Sequence, residues 1–139
     1  MTSVTLVDAG PLVAFLDADE YAHGWALQAF DASPAPLLTC EAVLVEACFL
    51  VRKRMKTADG VMELLKRGVI RLEFNLASEH SRVQEMMRRY GDLPMSLADA
   101  CLVRMAELIP ASRMMTMDRD FTVYRRHGRQ TIPLLAPFA

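Results

Sequence analysis

Five short apolar runs recur along the chain, Val4–Val7, Leu37–Thr39, 69–74, 113–117 and 132–135, separated by segments with the three-to-four-residue apolar spacing of helices. Strands linked through helices pair in parallel, because the crossover returns the chain to the same edge of the sheet. The alternation therefore predicts an α/β architecture, a short and mostly parallel sheet with helices on both faces. The connections carry the expected punctuation. Gly10-Pro11 opens a helix to about Asp17, a second helix over 21–31 is broken at Ser33-Pro34-Ala35-Pro36, and helices follow over 41–54 and 57–67, with Thr57 as N-cap and Gly68 as stop. An amphipathic helix is predicted over 77–90, and a more buried one over 96–109, capped by Ser96 and stopped by Pro110.

With 139 residues, 53% of them hydrophobic, the chain suits one core, and residues 1–139 are read as a single domain. Charged residues make up 24% and the net charge is −1, which argues against disorder and requires any basic surface to be local. Cys40, Cys48 and Cys101 are odd in number and embedded in apolar sequence, as expected of reduced thiols. The N-terminus lacks a basic segment followed by a long apolar one, and every apolar stretch is interrupted by charge before membrane-spanning length. These features predict a cytoplasmic protein without a membrane partner.

Acids placed just after strands take priority, since ligands of open parallel sheets bind outside the carboxyl ends of the strands. Asp8 follows Val4–Val7 and Asp118 follows the run 113–117, so both reach one edge if these strands are parallel. Each also fits a turn or cap. Asp99 stands three residues after Ser96, in the first turn of a helix, where it reads either as half of a capping box or as a ligand. Glu46 lies in Ala42-Val43-Leu44-Val45-Glu46-Ala47-Cys48-Phe49-Leu50-Val51, which leaves its carboxylate no evident solvent face and calls for a basic partner, a metal or protonation. Hard cations such as magnesium or manganese prefer oxygen ligands, and a phosphodiester-cleaving site needs several carboxylates to hold them against a polyanion. Asp8, Glu46, Asp99 and Asp118 supply such a set.

The segments Leu6-Val7-Asp8, Leu38-Thr39 with Leu44-Val45-Glu46-Ala47, Ser96-Leu97-Ala98-Asp99-Ala100, and Thr116-Met117-Asp118-Arg119-Asp120-Phe121 resemble, in order and spacing, the PIN-domain nucleases, most closely the VapC-type toxins of bacterial toxin-antitoxin pairs. The resemblance spans almost the whole chain. It implies a three-layer α/β/α fold and an acidic metal site formed by Asp8, Glu46, Asp99 and Asp118, with Ser96 and Thr116 as supporting groups. Asp120 reads as a support or as a turn residue. The first motif departs from the family: Ala9-Gly10-Pro11 stands where a hydroxyl or amide side chain commonly follows the aspartate, leaving backbone groups to face a phosphate.

The activity implied is endonucleolytic RNA cleavage with magnesium or manganese, leaving a 5′ phosphate and a 3′ hydroxyl. A metal-activated water attacks phosphorus in line, so His23, His80 and His127 are not required. For the RNA backbone two basic clusters are available, Arg52, Lys53, Arg54 and Lys56, and the better-placed Arg119, Arg125, Arg126 and Arg129; solvated faces are the plain alternative. The resemblance also implies a homodimer and a small antitoxin in the active-site groove, with Trp25, Phe30 and Phe49 as apolar candidates for either interface and core packing as the plainer reading of each. A PIN-like module that binds RNA or protein without cutting is the rival reading. A haloacid-dehalogenase-like phosphatase is disfavoured by Gly10 where a second acid is expected, and no GxxxxGK[ST] phosphate loop occurs.

Overall fold

A computed structural model describes residues 3–138. Strand β1 (Val4–Val7) is followed by helices α1 (Ala9–Leu16) and α2 (His23–Asp31), and β2 (Leu37–Thr39) by α3 (Glu41–Met55) and α4 (Asp59–Lys66). Strand β3 (Ile70–Leu72) leads into α5 (Leu76–Arg89) and α6 (Leu97–Leu108). After β4 (Ser112–Met115), a 3-10 turn (Arg119–Thr122) and a hairpin of β5 (Arg125–Arg126) with β6 (Gln130–Thr131) bring the chain to β7 (Leu134–Leu135). The main sheet has the order β3-β2-β1-β4-β7, and every pairing in it is parallel. Helices flank it in the expected three-layer α/β/α arrangement.

From β1 the chain steps to β2 and β3 on one side, then crosses to β4 on the other. The reversal opens a crevice between the carboxyl ends of β1 and β4, the position where open α/β sheets bind ligands. The two strands run in register from Val4 opposite Ser112 to Val7 opposite Met115, so Asp8 and the segment after Met115 emerge side by side. The Asp8 N–H donates to the Met115 carbonyl at 3.0 Å.

Helix α6 packs into the core, with Ala100, Cys101, Leu102, Val103, Met105 and Ala106 all essentially inaccessible. Its small residues let the helix approach β1 and β4 while Leu102 and Met105 fill the remaining space, each large side chain contributing roughly 1.5–3 kcal/mol of burial. Glu107, near the end of the helix, is buried with its charge. Its side chain is 1% exposed and accepts from Arg82 at 2.8 Å, Arg104 at 3.0 Å and the His127 N–H, tying α5 and the β5–β6 hairpin to α6.

Several boundaries shift from the sequence reading. Helix α4 starts at Asp59 with Ala58 at its cap, and the Thr57 hydroxyl accepts the Asp59 N–H at 3.1 Å from one position further out. The β5–β6 hairpin is too short to leave an alternating pattern, and it turns through His127 and Gly128 at φ of 53° and 77°. Trp25 and Phe30 pack into the core, whereas Phe49 is 64% exposed. Among the described residues no helix is long and apolar enough to cross a membrane.

Candidate active site

Asp8 ends β1 and caps α1, and it is 6% exposed. One carboxylate oxygen accepts the Ala9 N–H at 2.8 Å and the other the Thr116 hydroxyl at 2.8 Å. The same Thr116 oxygen accepts the Asp118 N–H at 3.0 Å, so one buried hydroxyl ties the end of β1 to the segment after β4. Asp118 caps the 3-10 turn by accepting the Asp120 N–H at 2.9 Å. Asp120 contributes its backbone there, and its carboxylate does not line the cleft, which favours the turn reading.

Asp99 sits in the first turn of α6 within a complete capping box: its N–H donates to Ser96 Oγ at 3.0 Å, and its Oδ2 accepts the Ser96 N–H at 3.5 Å. Capping and facing the cleft are compatible, because Asp99 also lines the crevice with Asp8, Glu46 and Asp118. Glu46 lies in the second turn of α3, whose side chains tilt back toward the helix N-terminus and hence toward the strand ends. It is half-buried. The solvent face that its apolar flanks concealed exists because Val45, Phe49 and Leu50 point outward.

The four acids thus come from four separate segments and meet in one open cleft of about 560 Å³, completed by Ala9, Gly10, Leu50, Met117 and Arg119. Burial pushes the Asp8 carboxyl up to about 7, against the hydrogen bonds from Thr116 and Ala9 and with added repulsion from Asp99 and Glu46. Glu46 is raised by burial and by the charges of Asp99 and Asp118, opposed by the Ser96 hydroxyl. Asp99 is raised by burial and by Asp118, opposed by hydrogen bonds from Tyr124 and Ser96. A crowded all-oxygen donor set of this kind is short of positive charge, which suits a hard divalent cation. Among the described residues, no three His, Cys, Asp or Glu side chains are gathered tightly enough to hold an ion as they stand.

The basic residues separate into two kinds. Arg119 is exposed at the lip of the cleft, its guanidinium 4.7 Å from the Phe138 ring, and Arg129 is exposed as well. Arg125 is spent on the carbonyls of Thr122, Val123 and Tyr124, and Arg126 on those of Ala106 and Pro110. In the other cluster Arg54 pairs with Asp17 at 3.1 Å, while Lys53 lines a second cleft that shares Gly10, Leu50 and Met117 with the acidic one. A Cβ on Gly10 would meet Met117 at 3.4 Å, an ordinary van der Waals contact, so this shared wall does not itself require glycine. His23 binds the Ala14 carbonyl through Nδ1 at 2.7 Å, a structural role.

Tyr124 is the site neighbour that sequence reasoning missed. Its ring is fully buried between Phe121 and Tyr90, and its hydroxyl donates to Asp99 Oδ2 at 3.0 Å. Burial and the nearby aspartates push that hydroxyl well above the usual tyrosine range, so it stays a donor. No motif announces the contact, because it joins residues 25 apart through tertiary packing.

A parallel sheet with an acid-lined crevice at its switch point is the layout of a PIN domain, and the chain belongs to that family: the PIN domain model matches residues 5–126. Among curated proteins it is similar to Ribonuclease VapC26 of Mycobacterium tuberculosis, 27% identical over 126 residues, 88% of this chain and 93% of that protein. Among solved structures it resembles Mycobacterium tuberculosis VapC20, described as a sarcin-ricin loop cleaving toxin, with a TM-score of 0.77 and 21% identity over 86% of this chain and 93% of that one. At that identity the second likeness speaks to the fold alone.

Proposed function

We propose that residues 1–139 act as one PIN domain that cleaves RNA endonucleolytically with magnesium or manganese, as the toxin of a toxin-antitoxin pair. The observation that carries this reading is the convergence of Asp8, Glu46, Asp99 and Asp118, from four segments, in one cleft at the strand-order reversal. The ribonuclease name of the curated relative supports the same activity. Burial, with added repulsion among the acids, raises the protonation equilibria of Asp8, Glu46 and Asp99, a pattern that favours a working site over a module that only binds.

In this reading Asp8, Glu46, Asp99 and Asp118 hold the cation, Thr116 fixes Asp8 relative to Asp118, and Ser96 orients Asp99. A bound divalent cation supplies Lewis acidity, making the attacking water more acidic and neutralising charge that gathers on the phosphoryl oxygens. Arg119 in the acidic cleft, and Lys53 in the neighbouring cleft that shares Gly10, Leu50 and Met117 with it, hold backbone phosphates. The protein works in the cytoplasm as a homodimer that a small antitoxin silences, and the exposed Val45 and Phe49 of α3 give protein partners an apolar surface.

The test is cleavage of a labelled structured-RNA pool, including a sarcin-ricin-type stem-loop, by purified partner-free protein with magnesium, manganese or excess chelator. Asp8→Asn and Asp99→Asn variants prepared in parallel exclude a contaminating nuclease. Cutting that requires metal and vanishes in both variants is the expected result. Cutting that persists unchanged in them removes the acids from the chemistry.

A further inference from the structure

We propose that Tyr124 is a positioning residue for the metal site, acting through Asp99. This inference rests on the four-acid reading above and goes beyond it. The two hydrogen bonds that anchor the Asp99 carboxylate, from the Tyr124 hydroxyl at 3.0 Å and from the Ser96 N–H at 3.5 Å, both fall on Oδ2. A carboxylate held by one oxygen is restrained in rotation and offers the other as the ligand. The Tyr124 bond is the shorter of the two, and its donor cannot wander.

The Tyr124 ring is completely buried, edge-on to Phe121 and to Tyr90 with centroids 5.1 Å away in each case. Phe121 belongs to the 3-10 turn that Asp118 caps, and Tyr90 follows α5 and accepts the Arg125 N–H through its hydroxyl at 2.9 Å. The cluster therefore fixes the phenol from two sides, and the phenol fixes Asp99 relative to the segment carrying Asp118. A buried tyrosine must satisfy its hydroxyl somewhere, and many accept any backbone carbonyl. Here the acceptor is a cleft carboxylate, which is the usual way a polar neighbour tunes a ligand from outside the coordination sphere.

Tyr124→Phe deletes the hydroxyl and keeps the ring. Tyr90→Phe is the control, since it deletes a neighbouring hydroxyl of the same cluster that does not touch Asp99. Manganese affinity is measured by titration calorimetry on the full chain, with chelator-treated unfolding midpoints for each variant and kcat and KM on a cleavable RNA. The expected result is manganese binding about tenfold weaker in Tyr124→Phe, kcat lowered with KM within twofold, and both manganese binding and activity unchanged in Tyr90→Phe. Tyr124→Phe binding manganese as tightly as the unsubstituted protein, while Asp99→Asn binds it poorly, overturns the positioning role alone. Equal weakening in Tyr124→Phe and Tyr90→Phe also overturns it, by assigning the effect to packing. If Asp99→Asn itself binds manganese normally, the four-acid site fails and this inference falls with it.

Discussion

Stripped of divalent cations, the protein should lose stability as pH rises from 5 to 7.5, and Asp8→Asn should abolish most of that loss. The folded carboxyl of Asp8 titrates at about 7 against an ordinary value of 3.8. Between those values the folded state holds a proton that the unfolded state has released, so stability falls with increasing pH. Crossing the whole interval corresponds to ~4 kcal/mol, but only about two of its three units lie above pH 5, so the loss between pH 5 and 7.5 is at most ~3 kcal/mol and, after relaxation of the buried site, about 1–3 kcal/mol. Glu46 and Asp99 shift in the same direction and add to the slope. Glu107 has the opposite sign. Burial works to raise it, but Arg82, the His127 N–H and Arg104 outweigh burial and hold it below its usual 4.5, so its contribution is present above 4.5 and lost in acid.

The metal-free protein should therefore be most stable at about pH 4, where these limbs meet, and should already be losing stability at pH 5. Urea unfolding in excess chelator at pH 5, 6, 7 and 7.5 measures the profile, and repeating it with manganese should restore stability at the alkaline end by mass action. Asp8→Asn, neutral throughout, should exceed the unsubstituted protein at pH 7.5 in chelator while binding metal poorly. Stability that rises steadily from pH 5 to 7.5 in chelator, together with a destabilised Asp8→Asn at pH 7.5, would refute the account of a strained acidic cluster.

Two further outcomes follow from the geometry. Glu107→Gln should cost about 3 kcal/mol by urea unfolding, the low end of the range for breaking a buried ion pair because the partly exposed Arg82 and Arg104 can turn to water, and should leave metal affinity intact. Lys53→Ala and Arg119→Ala should each raise KM for RNA with kcat little changed, and each should lessen the log-log salt dependence of binding by about 0.7; an unchanged salt slope would remove that residue from the phosphate track.

Much of this protein is legible in one dimension. The strand runs, the helix stops at Gly68 and Pro110, and the Ser96 capping box are local signals, set by backbone sterics and side chains within a few residues of one another. The acids Asp8 and Asp118 stood out for the same reason, each placed directly after an apolar run. Tertiary structure decided which of these elements became neighbours. Only the parallel pairing of β1 with β4 brings Asp8 beside Thr116 and Asp118, 108 and 110 positions away, and lets the Thr116 hydroxyl bridge them. Packing likewise turned Val45 and Phe49 outward and gave Glu46 a cleft to face, it spent Arg125 and Arg126 on carbonyls, and it carried the Tyr124 hydroxyl to Asp99. Periodicity records how a segment meets a core. Which polar atoms then share that core depends on long-range pairing, where the cost of an unsatisfied group selects the partner, and no local pattern encodes that choice.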